Sequence, residues 1–413
     1  MDKKKKILII GHSAKEHALV QKFNEYENVE KIYVAPGNAA MREICECVDI
    51  REDDSHKLLE FVLENGVDLT IVSSQKALKS DLADLFQANS QLIFAPTEYA
   101  SNFTISRSVA KKFMYKLRIP TPKFGIFEKP QLAADYVKNA AYPILIGADE
   151  DSDTSVKAVC TTVSMAKRCL DDLFLSDEKK VVIEDFLNGH EFTLYVITDG
   201  YHALPLAVSA DFKFLENGNG GLYTTGIGAF VPDYKVSENV ISSIMSDVVF
   251  NILQSLQRRQ TPYMGILGIE CVLTGEDSYL TTGFTPFLKD HDAAAVLNSV
   301  GENLLTLFEA CAIGSFADDY FSIMTSNLSS VSLVMSSRKD GLLISGLDNL
   351  DDNTSVNHFS TVRNEYLEFL TNKGRTLVVT QSSSTLSGAK RNLYENVELI
   401  DFENKKFRTD ICN

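Results

Sequence analysis

The run Lys5-Lys6-Ile7-Leu8-Ile9-Ile10-Gly11-His12-Ser13-Ala14-Lys15-Glu16-His17-Ala18-Leu19 decides the fold. Ile7 to Ile10 is a continuous apolar stretch closed by a glycine, which reads as a strand buried on both faces. Ser13 then suits a helix N-cap, and Ala18, Leu19 and Phe23 share one face of a helix over 13–25. The pattern repeats outward. Strands are predicted over 31–35, 68–72 and 92–94, with helices over 56–65 and 78–88. Short apolar strands separated by such helices form a parallel sheet covered on both faces. Residues 1–100 therefore read as a doubly wound, Rossmann-like domain.

The rest of the chain changes character. A long helix is predicted over 101–117, stopping before Ile119-Pro120-Thr121-Pro122, which suits a hinge. Residues 123–188 read as a small α/β lid, with strands over 124–127, 144–146, 156–159 and 181–184 and helices over 131–139 and 164–173. Two strands over 192–209 turn at Asp199-Gly200, and a glycine-rich loop spans 211–232. A helix over 238–257, strands over 264–273 and 279–282, and a helix over 293–311 follow. From 328 the pattern is strand-rich, with helices over 361–370 and 386–394. The fold class is α/β: a doubly wound domain (1–100), an α+β central region (101–327) and a small C-terminal α+β domain (328–413).

Composition narrows the function. The chain has 413 residues, 45% hydrophobic, with 40 Lys+Arg against 56 Asp+Glu and a formal charge of −16. That balance argues against nucleic acid, whose phosphates are captured by Lys and Arg. No apolar run approaches the roughly 20 residues of a membrane span, and Ile7 to Ile10 is too short for a signal peptide. A cytoplasmic location is expected. The seven cysteines contain no C-x-x-C pair and the seven histidines no zinc spacing, so no metal ligand set is expected from them. Gly11 and the turn Pro36-Gly37-Asn38 end strands on one sheet edge, where open α/β sheets bind ligands and a helix N-terminus favours phosphate.

Several strings, in order, resemble one family. They are Gly11-His12-Ser13-Ala14-Lys15-Glu16-His17-Ala18, Ala35-Pro36-Gly37-Asn38-Ala39, Phe94-Ala95-Pro96-Thr97 and Ile119-Pro120-Thr121. Further along come Val182-Ile183-Glu184-Asp185-Phe186-Leu187-Asn188-Gly189, Gly226-Ile227-Gly228-Ala229 and Phe407-Arg408-Thr409-Asp410-Ile411. The chain is similar to glycinamide ribonucleotide synthetase (phosphoribosylamine–glycine ligase), an ATP-grasp family. The resemblance implies an ATP-grasp central region and a carbon–nitrogen ligation of purine biosynthesis. There ATP, with magnesium, phosphorylates glycine, and phosphoribosylamine attacks the acyl phosphate. It places phosphoribosylamine against Gly11, Glu16, His17, Pro36, Gly37 and Asn38. Nucleotide falls beside Arg107, Glu184 and Glu191, and Asp211 and Lys213 survive from a glycine-site motif as catalytic candidates.

The departures from the family pattern are concentrated at the ATP and metal motifs. Ser13 and Ala14 replace glycines, and Ser73-Ser74-Gln75 replaces G-P-E. The family lysine after P-I-V-I is Gly147, and a second, in a glycine-rich loop, is Ser155. The same loop now carries Asp149, Glu150, Asp151 and Asp153, read as a solvated acidic segment rather than a calcium loop. The magnesium pair of E-F-N-x-R falls on Thr282 and Phe284, with Pro286 at the arginine. F-G-D-P-E becomes Phe287-Leu288-Lys289-Asp290-His291. Glu270, Asp290, His291 and Asp292 are the remaining oxygen or nitrogen donors, with Asp290 or Asp292 otherwise a solvated helix cap. Glu184 reads otherwise as an edge-strand carboxylate in water, Arg107 as a surface cation, and Arg408 with Asp410 as a structural ion pair. Losing several electrostatic stabilisers removes the largest catalytic term. The expectation is a degenerate homologue that binds a small ligand such as a sugar phosphate, or a protein partner. The alternative is an active ligase with displaced metal ligands.

Overall fold

Strand Lys5–Gly11 lies at the centre of a five-stranded parallel sheet, ordered Glu46–Cys47, Val29–Pro36, Lys5–Gly11, Leu69–Val72, Ile93–Phe94. Its continuous apolar run is explained by burial on both sides. Ile7 and Ile9 face a core with Leu304, Leu305 and Phe308, while Leu8 and Ile10 face Leu58, Val62 and Phe86. In register, Gly11 ends level with Pro36, so the two loops that follow share one edge. Helix Ala14–Asn24 starts at Ser13 with a capping box closed by Glu16.

This computed structural model describes residues 3–150, 157–176 and 179–412. The lid is a four-stranded antiparallel sheet in the order Phe124–Phe127, Val181–Asp185, Ile144–Ala148, Lys157–Cys160. The central sheet has eight strands, and it does not stop at the third domain. Ser329–Ser337 pairs with Gly220–Val231, so C-terminal strands Gly374–Ser383 and Thr354–His358 extend the same sheet. N-terminal parallel sheet, antiparallel lid and central sheets and C-terminal unit together give the mixed α/β class expected. Among the described residues no helix is long and apolar enough to cross a membrane.

Several predicted elements differ. The loop read within 211–232 is mostly strand, Ala203–Glu216 paired antiparallel with Gly220–Val231, and the helix over 78–88 is a short helix Gln75–Leu78 followed by Leu82–Ala88. The helix over 101–117 is two helices, Glu98–Ile105 and Arg107–Leu117, because Ser106 is extended (φ −96, ψ 119) and caps the second through the Val109 amide. The helix over 293–311 also divides, into Ala293–Ser299 and Leu304–Ile313, where Val300 is extended and Asn303 caps the second piece. The helix over 361–370 is a hairpin, Val362–Arg363 with Phe369–Leu370. Asn364 explains it: its side-chain oxygen accepts the amides of Tyr366 and Glu368, a local turn that competes with helix.

Candidate functional site

Parallel-sheet loops, lid and central sheet enclose a cavity of about 360 Å³. At the lid end, the break at Ser106 presents the start of helix Arg107–Leu117, whose free amides need acceptors. Asp149 supplies them. Its carboxylate accepts from the Ser108 amide at 2.7 Å and the Ser106 hydroxyl at 3.0 Å, and its carbonyl accepts from the Arg107 amide at 2.7 Å. Asp149 is buried, so the expectation of a solvated carboxylate is corrected here. Glu150 pairs with Lys79 across to the N-terminal domain. Asp151, Asp153, Ser155 and Val156 lie outside the described residues.

Arg107 and Lys111, one turn apart, converge on Glu184. The Arg107 Nη2 to Glu184 Oε1 distance is 2.7 Å, and Lys111 Nζ to Oε2 is 2.5 Å. Glu184 is only 3% exposed because its strand runs between two neighbours, which corrects the edge-strand reading. Burial opposes its charge, but Lys111 and Arg107 outweigh that and hold its carboxyl below the ordinary value. Arg107 is likewise no surface cation. A Cβ on Gly147 would stand 2.3 Å from its Nη1 and 3.1 Å from Lys157 Cγ. The space beside Gly147, where the resemblance has a lysine, is thus filled by Arg107.

At the centre, Asp211 accepts from Thr193 Oγ1 at 2.7 Å, Lys289 Nζ at 2.8 Å and His291 Nε2 at 3.0 Å. Lys289 Nζ also reaches Glu270 Oε1 at 2.8 Å. Gly226 makes this possible: a Cβ there would lie 2.1 Å from the His291 ring. Lys213 pairs with Glu191 at 2.8 Å, and the Tyr223 hydroxyl donates to the same carboxylate at 2.8 Å. Asp292 is not a solvated cap. It is fully buried and accepts the Tyr195 hydroxyl at 2.9 Å, and burial raises its carboxyl.

The loop after the first strand builds the other end. Asp290 accepts from the Ser13 hydroxyl at 2.5 Å and the Lys15 amide at 3.1 Å, so it caps the first helix from a distant segment rather than its own. Burial works against its charge, but Lys15 and Arg375 overcome this and leave its carboxyl at about 2. His12 is held by Glu52, which in turn accepts from the Ser74 hydroxyl at 2.6 Å. The Glu52 hydrogen bond raises the His12 imidazole, with burial opposing.

Of the residues singled out from the sequence, Gly11, Glu16, Arg107, Glu184 and Lys213 line the cavity. Asp211 and Glu191 stand behind Lys289 and Lys213. His17, Pro36, Gly37 and Asn38 are not lining residues. Asn38 instead donates to the carbonyls of His12 at 3.1 Å and His358 at 3.0 Å, and His17 accepts the His358 amide at 3.1 Å. Both brace the N-terminal loop against the C-terminal domain, and burial pushes His17 down to about 4. Arg408 and Asp410 form the expected ion pair at 2.6 Å. Sequence reading missed Lys111, Lys157, Lys289, His12 and Arg375. Only Lys289 carried a signal, a charge reversal at an acidic position of the resemblance.

The fit to Mg-ATP is uneven. Arg107, Lys157 and Lys213 line the cavity and suit phosphate oxygens. The metal positions do not fit. Thr282 donates its hydroxyl to the Glu270 carbonyl at 3.3 Å, and Phe284 is buried with its ring 5.2 Å from Phe103. The ligand atoms of Asp211, His291 and Asp292 lie within 4.8 Å of one another, but each carboxylate already has a proton donor.

Comparison with known proteins agrees with this architecture. Residues 5–103, 105–286 and 336–413 match the N, ATP-grasp (A) and C domain models of phosphoribosylglycinamide synthetase. The phosphoribosylamine–glycine ligase of Neisseria meningitidis serogroup B is 31% identical, with 99% of each chain covered. That of Halalkalibacterium halodurans is 30% identical, over 98% of this chain and 96% of the relative. The crystal structure of the Thermotoga maritima phosphoribosylamine–glycine ligase superposes with a TM-score of 0.82 at 20% identity, covering 98% and 99%. An L-amino acid ligase from Bacillus licheniformis shares the fold at a TM-score of 0.68 and 13% identity. Strand order, cleft and full-length similarity converge on one conclusion: the chain belongs to the phosphoribosylamine–glycine ligase family of ATP-grasp proteins.

Proposed function

We propose that this chain keeps the family cleft as a binding site for a small anion such as a sugar phosphate, and does not run the magnesium-dependent ligation of its relatives. One observation carries the reading: the two family metal positions hold a hydroxyl engaged with backbone and a phenylalanine in the core. Magnesium needs hard oxygen ligands in near-octahedral array, and neither side chain supplies a charge. The lining of the cleft supports the anion. Eight lysines and arginines against five carboxylates line it, the reverse of the whole-chain balance of −16. Lys15, Arg375 and His12 gather at the end formed by the first strand's loop, where Asp290, Glu16 and Glu52 accompany them and an entering phosphate would exchange for Asp290 as partner of the first two.

Calorimetry with Mg-ATP, ADP release with glycine and phosphoribosylamine, and thermal shift with ribose 5-phosphate test the proposal. The expected result is no micromolar Mg-ATP binding, no turnover, and stabilisation by the sugar phosphate that Lys15→Ala removes. Turnover would overturn the first half, and absence of any shift the second. A second reading, ligation with Arg107 and Lys157 serving where Gly147 and Ser155 stand, is favoured by Lys157 lining the cleft. The same calorimetry decides between them.

A further inference from the structure

We propose that the Lys289 ammonium is a tethered substitute for a divalent cation: it neutralises the central carboxylates from within the chain and keeps metal ions out. The inference deepens the reading above, and it rests on contacts rather than on what is missing. Lys289 Nζ lies 2.8 Å from Asp211 Oδ2, 2.8 Å from Glu270 Oε1 and 2.8 Å from Thr193 Oγ1. Three oxygens from three strands converge on one cation, the arrangement that a hard metal ion would otherwise recruit.

The ammonium is aimed there by its own backbone. The Lys289 amide donates to the Tyr195 hydroxyl at 3.2 Å and to Asp292 at 3.1 Å, which fixes the turn before helix Ala293–Ser299. Its side chain is 11% exposed and that of Asp211 is fully buried, so bulk water does little to screen the pair. Burial disfavours the charge of Lys289, yet Asp211 and Glu270 outweigh it and raise its pKa, so the ammonium stays charged at neutral pH. Glu270 is also well placed beside the departed metal positions. It pairs across the sheet with Gly283, between Thr282 and Phe284, and a Cβ on Gly283 would meet its Oε2 at 2.9 Å. Asp211 and Glu270 are therefore acids whose counter-charge is supplied by the protein.

The consequence is that removing the ammonium should create a metal site. With Lys289 shortened, the Asp211 and Glu270 carboxylates and the Thr193 hydroxyl, now each 2.8 Å from the ammonium, face the vacated space, an oxygen donor set that suits Mn²⁺. The test is Mn²⁺ binding without nucleotide, read by electron paramagnetic resonance on the full chain. Wild type is expected to bind none in the cleft up to millimolar Mn²⁺. Lys289→Ala and Lys289→Met, each checked for folding by circular dichroism, are expected to gain at least 100-fold in affinity. Adding Glu270→Gln should abolish the gain. Wild-type binding below millimolar that Asp211→Asn removes would overturn the proposal. So would folded Lys289 variants that bind no more Mn²⁺ than wild type. If both variants misfold, the wild-type measurement still decides. Mg-ATP turnover with a metal-free wild-type cleft would defeat the functional reading while leaving this one intact.

Discussion

Glu184→Gln isolates the electrostatics of the lid-end cluster. The substitution keeps shape and removes one charge. Lys111 is 1% exposed, and besides Glu184 its ammonium reaches the Thr121 hydroxyl at 3.1 Å. Removing one partner of a buried pair typically costs about 3–5 kcal/mol, because the other charge stays desolvated. For a cooperative unit of 150–250 residues this is a fall of roughly 6–20 °C in melting temperature, at about 2–4 °C per kcal/mol. The pH dependence separates this cause from lost packing. Burial already lowers the Lys111 pKa below 10.5, with Glu184 opposing, and the variant removes that opposition. A lysine whose folded value is lowered binds fewer protons folded than unfolded, so stability rises with pH between the two values. The deficit of Glu184→Gln should be greatest near pH 7 and shrink toward pH 10. Urea unfolding at pH 7, 8.5 and 10 measures it. A deficit below 1 kcal/mol, or one that does not change with pH, would refute the reasoning.

Gly147→Ala should push the Arg107 guanidinium off Glu184 and cost about 1.5–3 kcal/mol, the worth of a charge-assisted hydrogen bond; wild-type stability in urea would mean that the guanidinium is not confined there. Phe284→Ala should cost about 3–5 kcal/mol as a buried ring lost from the cluster with Phe103, measured the same way. Burial pushes His17 down to about 4 and His358 to about 3, so both are neutral in the fold and charge on unfolding below pH 6.5. Stability should therefore fall as pH drops through that window, by up to ~3 kcal/mol from His17 at pH 4, and His17→Gln should flatten the slope in acid unfolding curves.

Where the sequence was legible, one local rule acted alone. Ile7 to Ile10 read as a strand buried on both faces and Ser13 as a helix N-cap, and both hold, with Glu16 closing the capping box that the sequence reading did not use. The long helix over 101–117 failed because its apolar spacing continues smoothly past Ser106, and the break there is stabilised by Asp149, distant in sequence. The same blindness governs the site. Arg107, Lys111 and Glu184 meet across a lid that pairs residues some 40 to 80 positions apart, and nothing in their local spacing records it. Asp149 and Glu184, read in sequence as solvated acids, are buried because helix amides and two cations reach them.

Net charge shows how far that limit extends. The acid at 149–153 read as a solvated segment in the loop where the family carries a lysine. Asp149 and Glu150 are in fact committed to a helix start and to Lys79. The cleft wall is cationic because lysines and arginines from separate elements turn inward: Lys15, Arg107, Lys157, Lys213, Lys289 and Arg375. At the centre the two effects meet. Asp211 and Glu270 would draw in a divalent ion, and a residue that sequence comparison marks only as an acid turned base holds them instead. An anion entering this cleft meets a charge pattern already balanced at its centre, and toward the first strand's loop it meets Lys15 and Arg375 sharing Asp290, with Glu16 beside Lys15. A sugar phosphate held at the first strand's loop, as proposed, has to compete with Asp290 for both cations, and ribose 5-phosphate affinity should then respond to Arg375→Ala far more than to Arg107→Ala. An equal loss in both variants, read by calorimetry, would place the anion at the lid end and reverse that assignment.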